Sequence, residues 1–486
     1  MKLKELLEGI VDQPLPAEWA SYEVQDICVD SRRASWGCLF VALPGPKTHG
    51  AHFIPEALAR GARVILSDEL PSDLNRSDIL MLKVAQPRQV LNYLLERFYK
   101  SPTKNVDVIG VTGTKGKTTV TYLLEAVFQA WGKSCGVIGT IQHRYRDKII
   151  AAKNTTPGLL ENYQLLADMG RENVNYCFME VSSHALDQGR VSGIPFKGAL
   201  FTNLSGEHLD YHKNMDEYFE AKSRLFTTLT PGVVAVINTD DDYGARLVAR
   251  CSGQVVTYGL DRPAMVMAKD SRMSFEGSQF VVVSPAGELT VTTSLFGRHN
   301  VYNILAVVAL SLSAGVPISS IQKGIAALPG VPGRLERIEA GRNLTVFVDY
   351  AHTEDSLRNA LLSLKNVSPS RIILVFGCGG DRDQQKRPKM GKVASSLADY
   401  TVLTNDNPRS ESPEAIVQQI VAGFEGNHYE VVLDRRQAIA TALQLAKPGD
   451  IVLVAGKGHE EYQIFKDRTV AFNERQIVRE LLLSLS

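Results

Sequence analysis

The chain reads as an α/β protein of three domains, and three observations carry that prediction. Its 486 residues exceed what one hydrophobic core organises, and at roughly 150 residues per domain they divide into about three. From residue 107 onward, continuous apolar runs alternate with helix-like sequence, the pattern of parallel strands buried on both faces. That pattern is broken at the polar, proline-bearing stretch Arg97–Val106, read as a linker, and again at Val331-Pro332-Gly333-Arg334. The expected domains are therefore residues 1–100, 101–331 and 332–486.

In the first domain short β-rich runs (Asp26–Val29, Cys38–Ala42, Arg63–Leu66) are interleaved with helices, giving a small α/β unit. The central domain offers strands at Asp107–Val111, Cys135–Ile138, Tyr176–Val181, Ala199–Asn203 and Val233–Asn238, with a helix over Thr118–Trp131. Alternating apolar and polar residues over Ala264–Leu295, around Glu276-Gly277 and Pro285-Ala286-Gly287, predict an antiparallel hairpin. A helix over Asn300–Ala314 closes this domain. The third repeats the βα pattern at Thr345–Asp349, Ile372–Phe376, Thr401–Thr404, Glu430–Leu433 and Ile451–Ala455, a Rossmann-like series.

Composition narrows the function by exclusion. The 53 basic and 53 acidic residues cancel, which removes support for a broad electrostatic partner such as a nucleic acid. The amino terminus mixes acid, base and leucine rather than forming a signal peptide, and no run of 18 apolar residues occurs, so no membrane span and a cytoplasmic location are expected. Six scattered cysteines (Cys28, Cys38, Cys135, Cys177, Cys251, Cys378) form no CxxC pair and are expected to be buried, reduced thiols.

Between the strand Asp107–Val111 and the helix from Thr118 lies Gly113-Thr114-Lys115-Gly116-Lys117-Thr118-Thr119. Glycines let backbone N–H groups converge on phosphate oxygens, and the helix N-terminus adds partial positive charge. Lys117 is placed to reach the β and γ phosphates and Thr118 to contact Mg²⁺. The general phosphate loop carries a further glycine five residues before Gly116, where this chain has Val111, so the match is to a shortened variant. The loop predicts ATP binding.

Around that loop the sequence resembles the Mur ligases, whose loop usually reads Gly-Thr-Asn-Gly-Lys-Thr-Thr; here Lys115 replaces the asparagine. The resemblance continues in order through Asn154-Thr-Thr-Pro157, Glu180-Val-Ser-Ser-His184, His208-Leu-Asp-Tyr-His212, Ala221-Lys222, Asn300-Val-Tyr-Asn303, Pro332-Gly-Arg334, Asp349-Tyr-Ala-His352 and Asp406-Asn-Pro-Arg409. It implies an ATP-dependent ligase of peptidoglycan precursor synthesis. Such an enzyme converts a carboxylate to an acyl phosphate, which an amino acid amine then attacks.

The resemblance also implies roles. Thr118 and Glu180 would hold a Mg²⁺ bridging the ATP phosphates, and His208 a second. Lys222, otherwise an ordinary solvated lysine, would carry a carbamate (N6-carboxylysine) supporting that second ion, which requires a neutral amine. Asn300 and Asn303 would meet the adenine, Arg334 would neutralise phosphate charge, and Asp349 would accept a ribose hydroxyl. The first domain would bind a UDP-linked substrate through Ser31 and the loop Gly45–Gly50. Asn154, Thr155, Thr156, Ser182, Gln188 and Arg190 would border the same substrate nearer the reaction centre, and a monomer is expected.

The choice of amino acid falls to Asp406, Asn407, Pro408 and Arg409, which follow the strand Thr401–Thr404. Read without the family, Asp-Asn-Pro is a turn signal. Within it, Asp-Asn-Pro-Arg resembles the type that adds meso-diaminopimelate. That amino acid has a distal carboxylate that lysine lacks, and Arg409 can grip it by two parallel hydrogen bonds. Arg382 supplies a second cationic contact, while Gly456 and Glu460 lie where the distal ammonium would be received. Rival readings are a lysine-adding ligase of the same family, a folylpolyglutamate synthetase, which would not need the first domain, and a P-loop ATPase switch. The switch leaves the third domain and Arg409 unexplained.

Overall fold

Three separate sheets organise the chain, and each is built where the apolar runs fall. The computed structural model describes every residue except 12–13, 46–47, 72–75, 210, 340–343 and 486. The first sheet has four parallel strands in the order β1 (Asp26–Cys28), β2 (Cys38–Val41), β3 (Val64–Ser67) and β4 (Leu80–Lys83). Every residue of β2 and β3 is buried, which is why both read as unbroken apolar runs. The fourth strand escaped the sequence reading: it spans four residues, and its last side chain is exposed.

The second sheet follows in chain order from β5 (Asp107–Thr112), β6 (Cys135–Ile138), β7 (Gln142–Tyr145) and β8 (Lys148–Ala151) to β9 (Tyr176–Glu180), β10 (Phe196–Phe201), β11 (Val234–Asn238) and β12 (Gln254–Gly259). It is completed by β13 (Val266–Ser274), β14 (Gly277–Ser284) and β15 (Gly287–Thr293). Its eleven strands lie in the order 15-14-13-12-11-10-5-9-6-7-8, so β5 sits inside the parallel core. The expected hairpin is in fact a three-stranded antiparallel meander, because both glycine turns, at Gly277 and Gly287, reverse the chain. It joins the parallel core through Tyr258↔Val266 and Gly259↔Met267.

The third sheet comprises β16 (Glu336–Ile338), β17 (Thr345–Asp349), β18 (Ile372–Phe376), β19 (Tyr400–Leu403), β20 (Tyr429–Val431) and β21 (Ile451–Ala455), in the order 16-17-21-18-19-20. Only the edge strand β16 is antiparallel. A small hairpin, β22 (Tyr462–Ile464) with β23 (Thr469–Ala471), follows.

The stretch Arg97–Val106 is structured rather than a plain linker. Arg97, in the last turn of the helix Pro87–Phe98, donates to the carbonyls of Glu5, Leu6 and Glu8 at 3.0, 3.1 and 2.6 Å, and Pro102–Lys104 form a short 3₁₀ turn. One cluster of buried side chains runs from Leu3 and Leu6 through Leu91 and Leu94 to Val108, Cys177 and Phe201, so the first and second sheets share a core. All six cysteines are free, five of them buried. Among the described residues no helix is long and apolar enough to cross a membrane.

Candidate active site

The phosphate loop leaves the carboxyl end of β5 and enters the helix Lys117–Ala130. Gly113 (φ 145°) and Gly116 (φ 86°) adopt backbone conformations that side chains resist, and neither has room for one. A Cβ on Gly113 would lie 1.9 Å from Thr202 Oγ1, and one on Gly116 would lie 2.4 Å from Asn303 Oδ1. The end of β10 grips the loop: Thr202 Oγ1 donates to the Lys115 carbonyl at 2.6 Å, and Asn203 Oδ1 accepts from the Lys115 amide at 2.9 Å. Lys117 Nζ donates to the carbonyls of Gly113 and Thr114 at 2.9 and 3.0 Å. Burial lowers its pKa to about 8 against the pull of Glu180 and Glu207.

Glu180, at the end of β9 beside β5, is buried directly behind the loop. Its Oε2 accepts from Thr118 Oγ1 at 3.1 Å and from Thr140 Oγ1 at 2.8 Å, and its Oε1 from the Thr140 amide at 2.9 Å. Thr140 Oγ1 also lies 3.1 Å from Thr155 Oγ1, and Thr156 Oγ1 donates to the Glu180 carbonyl at 2.8 Å. Thr156 is linked in turn to Ser182 Oγ at 3.3 Å. Arg190 donates to the Thr156 carbonyl at 3.0 Å and to Gln188 Oε1 at 2.9 and 2.6 Å. Thr155, Thr156, Ser182, Gln188 and Arg190 therefore form one connected wall beside Glu180. Asn154 is exposed and makes no hydrogen bond to that wall.

On the other side of the loop, Lys222 is 2% exposed and donates to the Gly113 carbonyl at 2.9 Å. Its ammonium lies 4.7 Å from the centre of the Tyr218 ring. Burial and then the neighbouring Lys117 push its pKa well below the usual lysine range, which favours a neutral amine. His208, in a left-handed backbone conformation (φ 59°), packs 5.0 Å from the His184 ring and 6.0 Å from the Tyr218 ring. Burial lowers its pKa to about 4, so its imidazole is neutral near pH 7. Among the described residues no group of three or more His, Cys, Asp and Glu is arranged to hold a metal ion.

Side chains beyond the Val331–Arg334 break also reach this loop. Arg334 Nη2 donates to Thr118 Oγ1 at 3.4 Å, its guanidinium lies 5.0 Å from the Tyr350 ring centre, and its Nε is buried without a partner. Asp349 ends β17 with its carboxylate oxygens on the amides of Leu335 (2.6 Å) and Ala351 (2.8 Å), so it fixes the turn that presents Arg334. Burial raises its pKa against the pull of Arg334. The helix Arg298–Ser313 starts two residues before the expected Asn300, with Gly297 at its N-cap. Asn300 donates to the Phe296 carbonyl at 2.8 Å and accepts from Asn303 at 3.1 Å, which holds Asn303 against Gly116.

The loop at 406–409 lies at the carboxyl end of β19. Arg409, also left-handed (φ 52°), donates through Nη1 to the Gly380 carbonyl at 2.7 Å. A Cβ on Gly379 would lie 3.0 Å from Arg409 Nη1 and 3.8 Å from Arg382 Cγ, so both side chains border the same glycine. Asn407 Nδ2 donates to Glu460 Oε2 at 3.0 Å, and the Pro408 carbonyl packs on Gly380. Asp406 Oδ2 is buried without a partner, close to Gly456.

Three residues that the sequence reading did not assign hold this loop. Lys457, fully buried, donates to Asn407 Oδ1 and Glu460 Oε2, each at 3.0 Å. Arg387, also fully buried, donates to both Glu411 oxygens at 2.8 and 2.9 Å and to the Gly379 carbonyl at 3.0 Å. Arg435 bridges the carbonyls of Asn405 and Ala455, each at 2.8 Å, while Nε contacts Glu474 at 2.6 Å. Lys457 lies between Gly456 and Glu460, but nothing local in the sequence marks Arg387 or Arg435 as different from surface arginines. In the first domain, Ser31 is buried and donates to Glu56 at 2.7 Å; Pro46 and Lys47 of the expected nucleotide loop, and Asp210, lie outside the described residues.

Comparison with known proteins gives this geometry a context. Residues 23–99 match the Mur ligase family, catalytic domain, residues 111–311 the Mur ligase middle domain, and residues 333–458 the Mur ligase, glutamate ligase domain. The chain is 42% identical over 488 residues to the UDP-N-acetylmuramoyl-L-alanyl-D-glutamate–2,6-diaminopimelate ligase of Solibacter usitatus, covering 99% of this chain and 98% of that one. It is 40% identical over 463 residues to the ligase of the same name from Clostridium botulinum, covering 95% of each. A solved structure of a UDP-N-acetylmuramoyl-L-alanyl-D-glutamate–2,6-diaminopimelate ligase superposes with a TM-score of 0.71 at 32% identity, covering 99% of both chains.

Proposed function

The chain belongs to the Mur ligase family, and on that premise we propose that it adds 2,6-diaminopimelate to the D-glutamyl carboxylate of UDP-N-acetylmuramoyl-L-alanyl-D-glutamate, using ATP. The reaction makes a peptidoglycan precursor. The γ-phosphoryl group of ATP passes to the carboxylate, giving an acyl phosphate and ADP. The amine of diaminopimelate attacks the acyl carbon, the C–O bond to phosphate breaks, and the amine loses a proton as the amide forms.

The observation that carries this reading is the meeting at Thr118: Glu180 of the second sheet and Arg334 from beyond the break at 331 both bond its hydroxyl. A nucleotide in the loop would lie between the ends of two sheets, where phosphate charge on one side faces cations from the other. Lys117 would leave the loop carbonyls for the phosphate oxygens, and Arg334, with Nε unpartnered, has a donor to spare. Thr118 and Glu180 present hard oxygens 3.1 Å apart, a donor set that suits Mg²⁺. A bound cation there would neutralise charge on the phosphate oxygens. His208 would serve a second ion through its neutral ring, aided by Lys222 once CO₂ has added to the neutral amine and a proton has left. Thr155, Thr156, Ser182, Gln188 and Arg190 would line the path of the UDP-linked substrate, Ser31 its nucleotide end, and Asn300 and Asn303 the adenine side. Arg409 and Arg382 would receive the distal carboxylate of diaminopimelate, with Asn407 and Glu460 near its ammonium. We place the enzyme in the cytoplasm, as a monomer.

Phosphate release measured with ATP, Mg²⁺, the UDP-linked dipeptide and one amino acid at a time tests this reading. Release that depends on diaminopimelate is expected. Equal release with lysine would indicate the lysine-adding ligase instead, and release without any amine would indicate an ATPase. Intact-mass measurement of gently handled protein is expected to show the CO₂ adduct, which Lys222→Ala abolishes together with turnover.

A further inference from the structure

Lys115 is the one residue of the phosphate loop that departs from the family's usual asparagine, and its side chain is already committed. Its ammonium forms an ion pair with Glu207 and donates to Thr353 Oγ1 at 3.3 Å; the same Thr353 hydroxyl donates to Glu207 at 3.0 Å. The three groups close a triangle in which each bonds the other two. Lys115 and Glu207 belong to the unit of the second sheet, whereas Thr353 is the N-cap of the helix Glu354–Val367 packed on the third. One turn along, Ser205 Oγ donates to Asp355 at 3.1 Å across the same seam. The backbone amide of Lys115 is likewise occupied, by Asn203.

We propose that Lys115 is a positioning residue that latches the amino-acid-binding unit over the phosphate loop, rather than a ligand of the nucleotide. The inference rests on the ligase reading given above. Because the latch starts on the phosphate loop and ends on the helix that follows β17, it fixes the distance between the site of the acyl phosphate and the amine that attacks it. Its loss therefore falls on the amino acid step, not on ATP binding.

The test uses the full-length enzyme and the variants Lys115→Met, Thr353→Val and their double. Thr353→Ser, which keeps the hydroxyl and the helix cap, and Lys115→Arg, which keeps a cation, serve as controls. The expected result for Lys115→Met is a rise of about tenfold in the KM for diaminopimelate, with ATP binding changed less than about twofold. The double variant should cost no more than the larger single one, and both controls should restore most of the loss. Small-angle scattering of the ligand-free enzyme gives a readout independent of turnover: Lys115→Met should be more extended than the wild type. Additive losses, an unchanged scattering profile, or a tenfold loss of ATP binding with diaminopimelate KM unmoved would each overturn the latch. Wild-type enzyme that releases no phosphate with any amine would overturn the ligase reading instead, while leaving the scattering comparison valid.

Discussion

The loop after β5 and the loop after β19 both leave the carboxyl end of a parallel strand, yet different forces hold them. The phosphate loop is a backbone device: two glycines at positive φ, no room for a Cβ, and the two residues that follow β10, Thr202 and Asn203, closing neutral hydrogen bonds on Lys115. The loop after β19 is a side-chain device. Arg387, Arg435 and Lys457 are buried cations that reach it from distant parts of the chain and tie its carbonyls and amides in place. Buried charge makes the second device strict, because a mismatched ligand would leave it unpaired.

The largest expected effect tests that strictness. Arg409→Ala should lower kcat/KM for diaminopimelate by about 10³ while ATP binding stays within about twofold, because the distal carboxylate of diaminopimelate loses its bidentate partner. Arg409 has φ 52°, where Asn sits more comfortably than Ala, so Arg409→Asn removes the guanidinium with less backbone cost. If both variants still prefer diaminopimelate to lysine by the wild-type ratio, the specificity lies elsewhere.

The same contrast explains what could be read from the chain without coordinates. Strands such as Thr345–Asp349, Ile372–Phe376 and Ile451–Ala455 were legible residue for residue, because burial on both faces writes an apolar run of the right length. The phosphate loop was legible because its physics is local. Leu80–Lys83 and the arm Gln142–Tyr145 with Lys148–Ala151 were not: all four residues of the last strand are exposed, and short edge strands carry no apolar signature. Arg387 and Arg435 were hidden for the opposite reason. Their burial is decided by Glu411 and Glu474, 24 and 39 residues away, and pairing at that range has no sequence pattern.

Next in size is the stability of the support for the loop after β19. Arg435 and Glu474 are both fully buried, so Arg435→Met strands a carboxylate and should cost about 3 kcal/mol in urea unfolding. Arg435→Met combined with Glu474→Leu should recover much of that loss, since neither charge then remains. A double variant as unstable as the single one would show that the carbonyl bonds of Arg435, not the ion pair, carry the effect.

The latch at Lys115 should appear in the acid range. Burial pushes the Glu207 carboxyl up, but the Lys115 cation outweighs it, and the carboxyl is held at about 2 instead of the usual 4.5. A carboxyl lowered in the folded state contributes stability that is whole above its unfolded value and lost as pH falls from 4.5 towards 2. With Lys115→Met the cation that outweighs burial is gone, so Glu207 takes up its proton at higher pH. Unfolding free energies measured from pH 7 to 3 should therefore show the variant's deficit largest at pH 7 and shrinking in acid. A deficit constant across that range would mean that Lys115 acts through packing alone.

The smallest effect belongs to the phosphate loop itself. Thr202→Ala removes one neutral bond to the Lys115 carbonyl, which keeps a second donor in Asn203 Nδ2 at 3.3 Å, so no buried group is orphaned. The loss should be about 1 kcal/mol, seen as ATP binding weakened roughly fivefold with the preference for diaminopimelate unchanged. The substitution also frees space opposite Gly113, whose missing Cβ lies 1.9 Å from the Thr202 hydroxyl, so the loop can shift without a clash. If Thr202→Ala instead matched Arg435→Met in severity, the phosphate loop would depend on a single side-chain contact. The distinction between a backbone-built loop and a side-chain-built one would then fail.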